Sequence, residues 1–176
     1  MNTISKFKWF WAWQDEKEEA WLAEMAAEGL HLVSFSIPGF YYFQQGEPGN
    51  YVYRLDFQTM KSKDRDSYLQ LFADAGWEHI GDMGGWVYFR HKVNGSEILD
   101  IYSDWESKMG KYYRLLFILV IFLPIMIIMV TNISDYLRYR EFMGILVAIP
   151  FSLFLLYTLA VVQIFRRMLQ IKEKGL

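Results

Sequence analysis

From Leu115 to Ile133 and again from Phe142 to Phe165 the chain carries no charged side chain, over runs of 19 and 24 residues. Each run meets the roughly 20 apolar residues that a helix needs to cross a hydrocarbon core of about 30 Å. Backbone amides inside a bilayer find no water to bond, so runs of this length resolve into helices. Two transmembrane helices, 115–133 and 142–165, are therefore predicted, joined by a short external loop over 134–141. The alternative is a buried hairpin of a soluble protein, but such helices normally keep a polar stripe. Pro124 and Pro150 fall inside the runs and are expected to kink them. Neither run holds an ionisable group, so a proton or ion pathway is not expected. Gly144, Ala148 and Ser152 recur every fourth residue. Such a small-residue stripe lets a second helix approach closely, either within the hairpin or in a homodimer.

The charges around these runs set the expected orientation. Lys108, Lys111 and Arg114 lie in a basic juxtamembrane segment over 107–114, and Arg166, Arg167, Lys172 and Lys174 in a basic tail over 166–176. The connecting loop holds only Arg138 and Arg140. Seven basic residues against two place both termini, and a first domain over 1–106, on the cytoplasmic side of the cell membrane. The N-terminal KFKWFWAW is too short an apolar run for a signal peptide, and the acidic DEKEE follows at once. Absence of cysteine fits a reducing compartment and removes thiol catalysis and cysteine metal sites. Residues 1–106 carry 9 Lys and Arg against 17 Asp and Glu, whereas residues 107–176 carry 9 against 3. A domain of net −8 repels phosphate backbones, so nucleic acid is not an expected partner. The basic flanks suit the anionic headgroups of a lipid bilayer.

The first domain says nearly the same thing twice. Trp21, Leu22, Met25, Ala26, Gly29 and Leu30 correspond to Tyr68, Leu69, Phe72, Ala73, Gly76 and Trp77 at a constant offset of 47. With a one-residue gap, Phe40, Tyr42 and Phe43 then fall on Trp86, Tyr88 and Phe89. Each copy reads as strand, helix, strand, strand. KFKWFWAW alternates with Phe7, Trp9, Trp11 and Trp13 on one face, and YVYRLDF does likewise with Tyr51, Tyr53, Leu55 and Phe57. The helices DEKEEAWLAEMAAEG and 62–75 place their apolar residues on one stripe and stop at Gly29 and Gly76. Acidic residues opening the first helix complement its dipole. The strand pairs LHLVSFSI with GFYYFQQ and WEHIGD with GWVYFRH complete the copies. The expected fold is α+β: a tandem βαββ duplication, repeats about 6–46 and 51–92, forming an antiparallel sheet with two helices on one face. A groove between the halves is the natural place for a ligand.

The last strand of each half is aromatic on both faces, and helices on one face leave rings on the other to line a pocket or meet a partner. Tyr42, Tyr53, Trp86 and Tyr88 are the candidate aromatic contacts. Carboxylates beside aromatic rings suit an organic cation, through charge pairing and cation–π contact, with Asp56 and Glu78 as candidates. Arg90 either pairs locally or holds an acidic group, and Arg54 with Asp56 reads as a surface ion pair. His31, His79 and His91 occur singly, with no paired-histidine motif, nucleophile elbow or glycine-rich phosphate loop. No catalytic residue, cofactor or metal site is expected.

The stretches WLAEMAAEG (21–29), YVYRLDF (51–57), AGWE (75–78) and GWVYFR (85–90) resemble the bacterial family known as domain of unknown function 2812. The likeness covers most of residues 7–105, and following membrane helices are typical of that family. It implies no established activity; its members' association with PadR-like transcription regulators implies a regulatory or envelope-stress setting. Duplicated βαββ units also resemble, in topology alone, the GyrI-like effector-binding domains, some of which take bulky hydrophobic cations between their halves. Together these readings predict a membrane-anchored sensor that recognises a small hydrophobic ligand, cationic or neutral, in an aromatic groove. The alternative is a flat interaction surface that docks a transcription regulator or another membrane protein.

Overall fold

The computed structural model describes residues 3–59, 62–93, 101–102, 105–131 and 143–174. The chain divides into two compact units, Met1–Ser103 and Asp104–Leu176. In the first unit the order is β1 (Thr3–Phe7), α1 (Asp15–Ala27), β2 (Leu30–Ser36), β3 (Phe40–Gln45), β4 (Tyr51–Phe57), α2 (Ser62–Asp74), β5 (Glu78–Met83) and β6 (Trp86–Lys92). Two βαββ halves are thus present. Their strands form two three-stranded antiparallel sheets, β1-β3-β2 and β4-β6-β5, rather than the single sheet expected.

The halves match in detail. In each, the third strand is central, and the second strand shifts register at an equivalent point, between Leu32 and Ser34 and between His79 and Gly81. Both helices end at a glycine with φ of +82°, Gly29 and Gly76. A left-handed backbone there suits glycine, and a Cβ on Gly29 would stand 2.6 Å from the Gly46 carbonyl oxygen.

The helices do not share a face. Alternation along β6 sends Val87 and Phe89 to one side, where Tyr68, Leu69, Phe72 and Trp77 pack on them. Tyr88 points to the other side and joins a core made of Trp21, Leu22, Met25 and Ala26 from α1, Leu32, Tyr41 and Phe43 from the first sheet, and Tyr53 and Leu55 from β4. α1 is therefore enclosed by strands of both sheets, and α2 covers the opposite face of the second sheet. One sheet with both helices above it would leave α1 a solvent face, yet Asp15, Glu18 and Glu19 are buried along with its apolar stripe. Glu19 is held by the amide of Leu55, which donates to its Oε1 at 2.8 Å, and by Arg54 Nη1 at 3.4 Å.

β1 is also displaced from the expected 6–13. Its pairing with β3 ends where Phe7 faces Phe40, and the Lys8 amide donates to the Gly39 carbonyl. Beyond this, Trp11 N–H donates to Gln14 Oε1 and Gln14 N–H to the Trp11 carbonyl, turning the chain into α1. Phe7, Trp9 and Trp11, expected together on one face of a strand, are exposed, and Phe10 between them packs on Trp21 and Tyr41.

The second unit holds α3 (Trp105–Thr131) and α4 (Met143–Lys174), which pack on each other, with Tyr157 Oη donating to the Leu119 carbonyl at 3.0 Å. The expected loop over 134–141 lies outside the described residues. Candidate membrane spans are Trp105–Ile128 and Ile149–Glu173, with mean hydropathy of 2.0 and 1.7. Only 17% and 11% of their most apolar windows are buried, unlike the core helices of a soluble protein. The hydroxyls of Thr131, Ser152 and Thr158 donate to carbonyls of their own helices, which satisfies them without water. Of the small-residue stripe, Gly144, Ala148 and Ser152 all fall on α4, but the surroundings of Gly144 and Ala148 lie outside the described residues.

Candidate functional site

A pocket of about 280 Å³ opens in the first unit where the start of α1 meets β6, the β2–β3 turn and the β5–β6 turn. The turn from β1 into α1 supplies Trp9, Phe10 and Trp11, the β2–β3 turn Ile37 and Pro38, and the second half Leu55, Met83, Trp86 and Tyr88. Asp15 and Glu18, one helical turn apart, form its acidic wall, 2% and 6% exposed. Such a site combines apolar walls with a few fixed polar groups, the usual composition of a small-ligand pocket, at the lower end of their size range.

Glu18 is fixed by both halves. Tyr41 Oη from β3 and Tyr88 Oη from β6 each donate to its Oε1 at 2.7 Å. Among the described residues no donor reaches Oε2. Burial raises the Glu18 carboxyl above its ordinary range; the two tyrosine donors pull the other way, and the nearby charge of Asp15 adds to the rise. Burial followed by the Glu18 charge pushes both tyrosines up, so they remain hydroxyl donors. At the rim, Lys8 Nζ lies 4.8 Å from the ring centroid of Trp21 and 5.3 Å from that of Phe10. A cation is thus already at home on these aromatic faces.

Of the residues singled out in the sequence, Trp86 and Tyr88 line the pocket. The others lie elsewhere. Tyr42 is half-buried, 3.4 Å from Ser36 Oγ. Tyr53 is buried in the shared core, where burial raises its hydroxyl and the neighbouring Arg90 opposes the rise. Asp56 is buried, not on the surface with Arg54; its carboxylate accepts from Tyr68 Oη at 2.9 Å, Tyr102 Oη at 2.7 Å and Gln58 Nε2. This ties α2 to β4. Glu78 and Arg90 face each other across β5 and β6 and form two bonds of 2.7 Å, which hold the guanidinium pKa up. Arg90 Nη1 also donates to the Leu32 carbonyl at 3.3 Å, linking the two sheets.

None of His31, His79 and His91 lines the pocket. His31 Nε2 lies 2.8 Å from the Glu47 carbonyl and His79 Nε2 2.8 Å from Asp82 Oδ1. Among the described residues no three His, Asp or Glu side chains are grouped to hold a metal.

Sequence reasoning missed Glu18, Asp15, Tyr41 and the turn residues Trp9–Trp11. A signal for the acids exists: Asp15, Glu18, Leu22 and Met25 follow one another at steps of three and four, so the carboxylates extend the buried stripe of α1. A family model described as "Protein of unknown function (DUF2812)" matches residues 14–123, a span that includes the acidic wall, Tyr41, Trp86 and Tyr88 but not Trp9–Trp11. No curated protein and no solved structure matches the chain.

Proposed function

The chain belongs to the DUF2812 family, and on that footing we propose that it is a membrane-anchored binding module with a regulatory role, taking a small hydrophobic cation in the pocket over Glu18. The observation that carries this reading is the Glu18 carboxylate, fixed through one oxygen by two tyrosines inside an aromatic enclosure. A carboxylate with little water around it attracts a cation more strongly than one in solvent, and the surrounding rings favour the same charge. The pocket is concave, which favours a small ligand over the flat docking of a regulator. Its modest volume selects a ligand with one aromatic or compact aliphatic group beside the charge, smaller than the bulky cations anticipated from topology. We read the site as binding rather than catalytic, a reading supported by the Tyr41 and Tyr88 hydroxyls paired with Glu18, which burial and the Glu18 charge keep protonated. In this reading both termini face the cytoplasm, an orientation that the basic flanks of the two spans support.

A titration of the full chain in detergent micelles with benzyltrimethylammonium, against its uncharged carbon isostere neopentylbenzene, tests the proposal. At a hundredfold its dissociation constant a ligand adds about 2.7 kcal/mol to stability, readable as a raised unfolding midpoint in tryptophan fluorescence. The cation is expected to raise the midpoint, the isostere to raise it less, and Glu18→Gln to remove the difference. Equal effects of cation and isostere, or a cation effect that survives Glu18→Gln, would overturn it.

A further inference from the structure

The turn from β1 into α1 contributes to the pocket, yet part of its aromatic surface faces outward. Phe7 is 59% exposed, Trp9 50% and Trp11 40%, and the adjoining Ile37 and Phe40 are exposed at 75% and 39%. The rings are already assembled on one another: Trp11 stacks on Trp13 at 5.3 Å and 3°, Trp9 meets Trp11 edge-on at 5.6 Å, and Phe7 lies 5.1 Å from Phe40. Both ends of the segment are bonded, by Lys8 N–H to Gly39 and by Trp11 N–H to Gln14. An apolar shelf whose rings already rest on one another loses little freedom when it is covered.

We infer that this shelf seats on the surface of an anionic phospholipid bilayer. The charge of the segment carries the choice of partner. Residues 1–14 contain Lys6 and Lys8 and no acidic residue, in a segment 1–106 that holds 17 Asp and Glu against 9 Lys and Arg. The shelf is thus a basic stretch of an acidic segment, and neither lysine pairs with a carboxylate among the described residues. Tryptophan, with an apolar ring and one N–H, is the side chain best suited to the headgroup boundary, and Lys6 and Lys8 add positive charge to this end of the unit, Lys8 from its place over Phe10 and Trp21. Two candidate membrane-spanning helices in the same chain put a bilayer within reach. The seat does not depend on the pocket having a ligand. Where it does have one, Trp9, Trp11 and Ile37 belong to both shelf and pocket, so the pocket mouth faces the layer in which hydrophobic cations concentrate.

The test uses the full chain in nanodiscs of phosphatidylcholine alone or mixed with phosphatidylglycerol, both carrying lipid brominated in its acyl chains. Quenching of tryptophan emission is expected to be greater with phosphatidylglycerol. Lys6→Gln and Lys8→Gln lower the docked-to-undocked ratio, roughly fivefold per lysine, and bring quenching toward the phosphatidylcholine level. Phe7→Ser, which leaves the pocket lining intact, does the same, and Trp9→Leu with Trp11→Leu removes the phosphatidylglycerol-dependent part. Equal quenching in the two lipids overturns the inference, as does a lipid-dependent part that persists without Trp9 and Trp11. Shielding of the shelf that is the same in both lipids and deepens with protein loading assigns it to a second copy, and also overturns it.

Discussion

α1 and α2 hold equivalent places in the two halves of the first unit, with the same length of 13 residues and the same glycine stop, yet one is enclosed and the other half in solvent. Seven side chains of α1 are buried, among them three carboxylates. On α2, Tyr68, Leu69 and Phe72 are only half-buried, and Leu71 is 66% exposed. The offset of 47 sets Glu18 against Arg65 and Glu19 against Asp66. In the second half the arginine reaches Asp82 near the surface, and in the first the carboxylate closes a pocket. A single backbone plan thus serves two ends. Position in the assembly of sheets, together with the residue at this place in the helix, decides which half acquires a buried charge.

The largest test of that difference is a matched pair of core truncations. Leu22→Ala, at a fully buried position, is expected to cost about 2–5 kcal/mol, whereas Leu69→Ala at the equivalent half-buried position costs about 1 kcal/mol. Denaturant unfolding followed by tryptophan fluorescence reads both, and equal costs would break the contrast. Next comes the pH response. The folded state holds the Glu18 proton more tightly than the ordinary carboxyl value of 4.5. The stability this contributes is complete below about that pH and is lost as pH rises through the raised folded value. Glu18→Gln is expected to flatten this fall in a series of melting midpoints across the acidic range, and Arg65→Gln to leave it in place. The smallest effect is that of Arg65→Ala, whose pairing with Asp82 is partly in solvent; it is expected to change stability by under about 1 kcal/mol.

Much of this architecture was legible. The apolar stripe and glycine stop placed both helices within a residue or two, strict alternation placed β4, and the glycine turn after WEHIGD placed β6 to within a residue, because periods and turns of this kind hold wherever the element packs. The turn before α1 misled for the same reason. Phe7, Trp9, Trp11 and Trp13 alternate as a strand does, but the partner strand ends opposite Phe7, and alternation says nothing about where a partner ends. Trp86 and Tyr88 line the pocket for another reason than the one that singled them out: helices cover both faces of their sheet, and these two rings reach the pocket because it opens at the start of α1. Glu18 was not singled out, because an acidic residue at a helix start has a sufficient local explanation in the dipole, and only enclosure by the second sheet makes it a buried group. Asp56 errs in the opposite sense: a carboxylate among aromatics suggested a site, and three local donors occupy it.

The bond from the Leu55 amide to Glu19 bears on how the protein keeps to itself. β4 is one of the two outer strands of its sheet, and an outer strand presents backbone donors and acceptors that will accept a strand from any passing chain. A side chain from α1 occupies one of those donors, so the first half acts as a guard on the open edge of the second. Loss of α1 structure would do more than empty a pocket. It would uncover a template for aggregation, and in a crowded cell that exposure, more than the lost stability, would decide the fate of a partly unfolded copy.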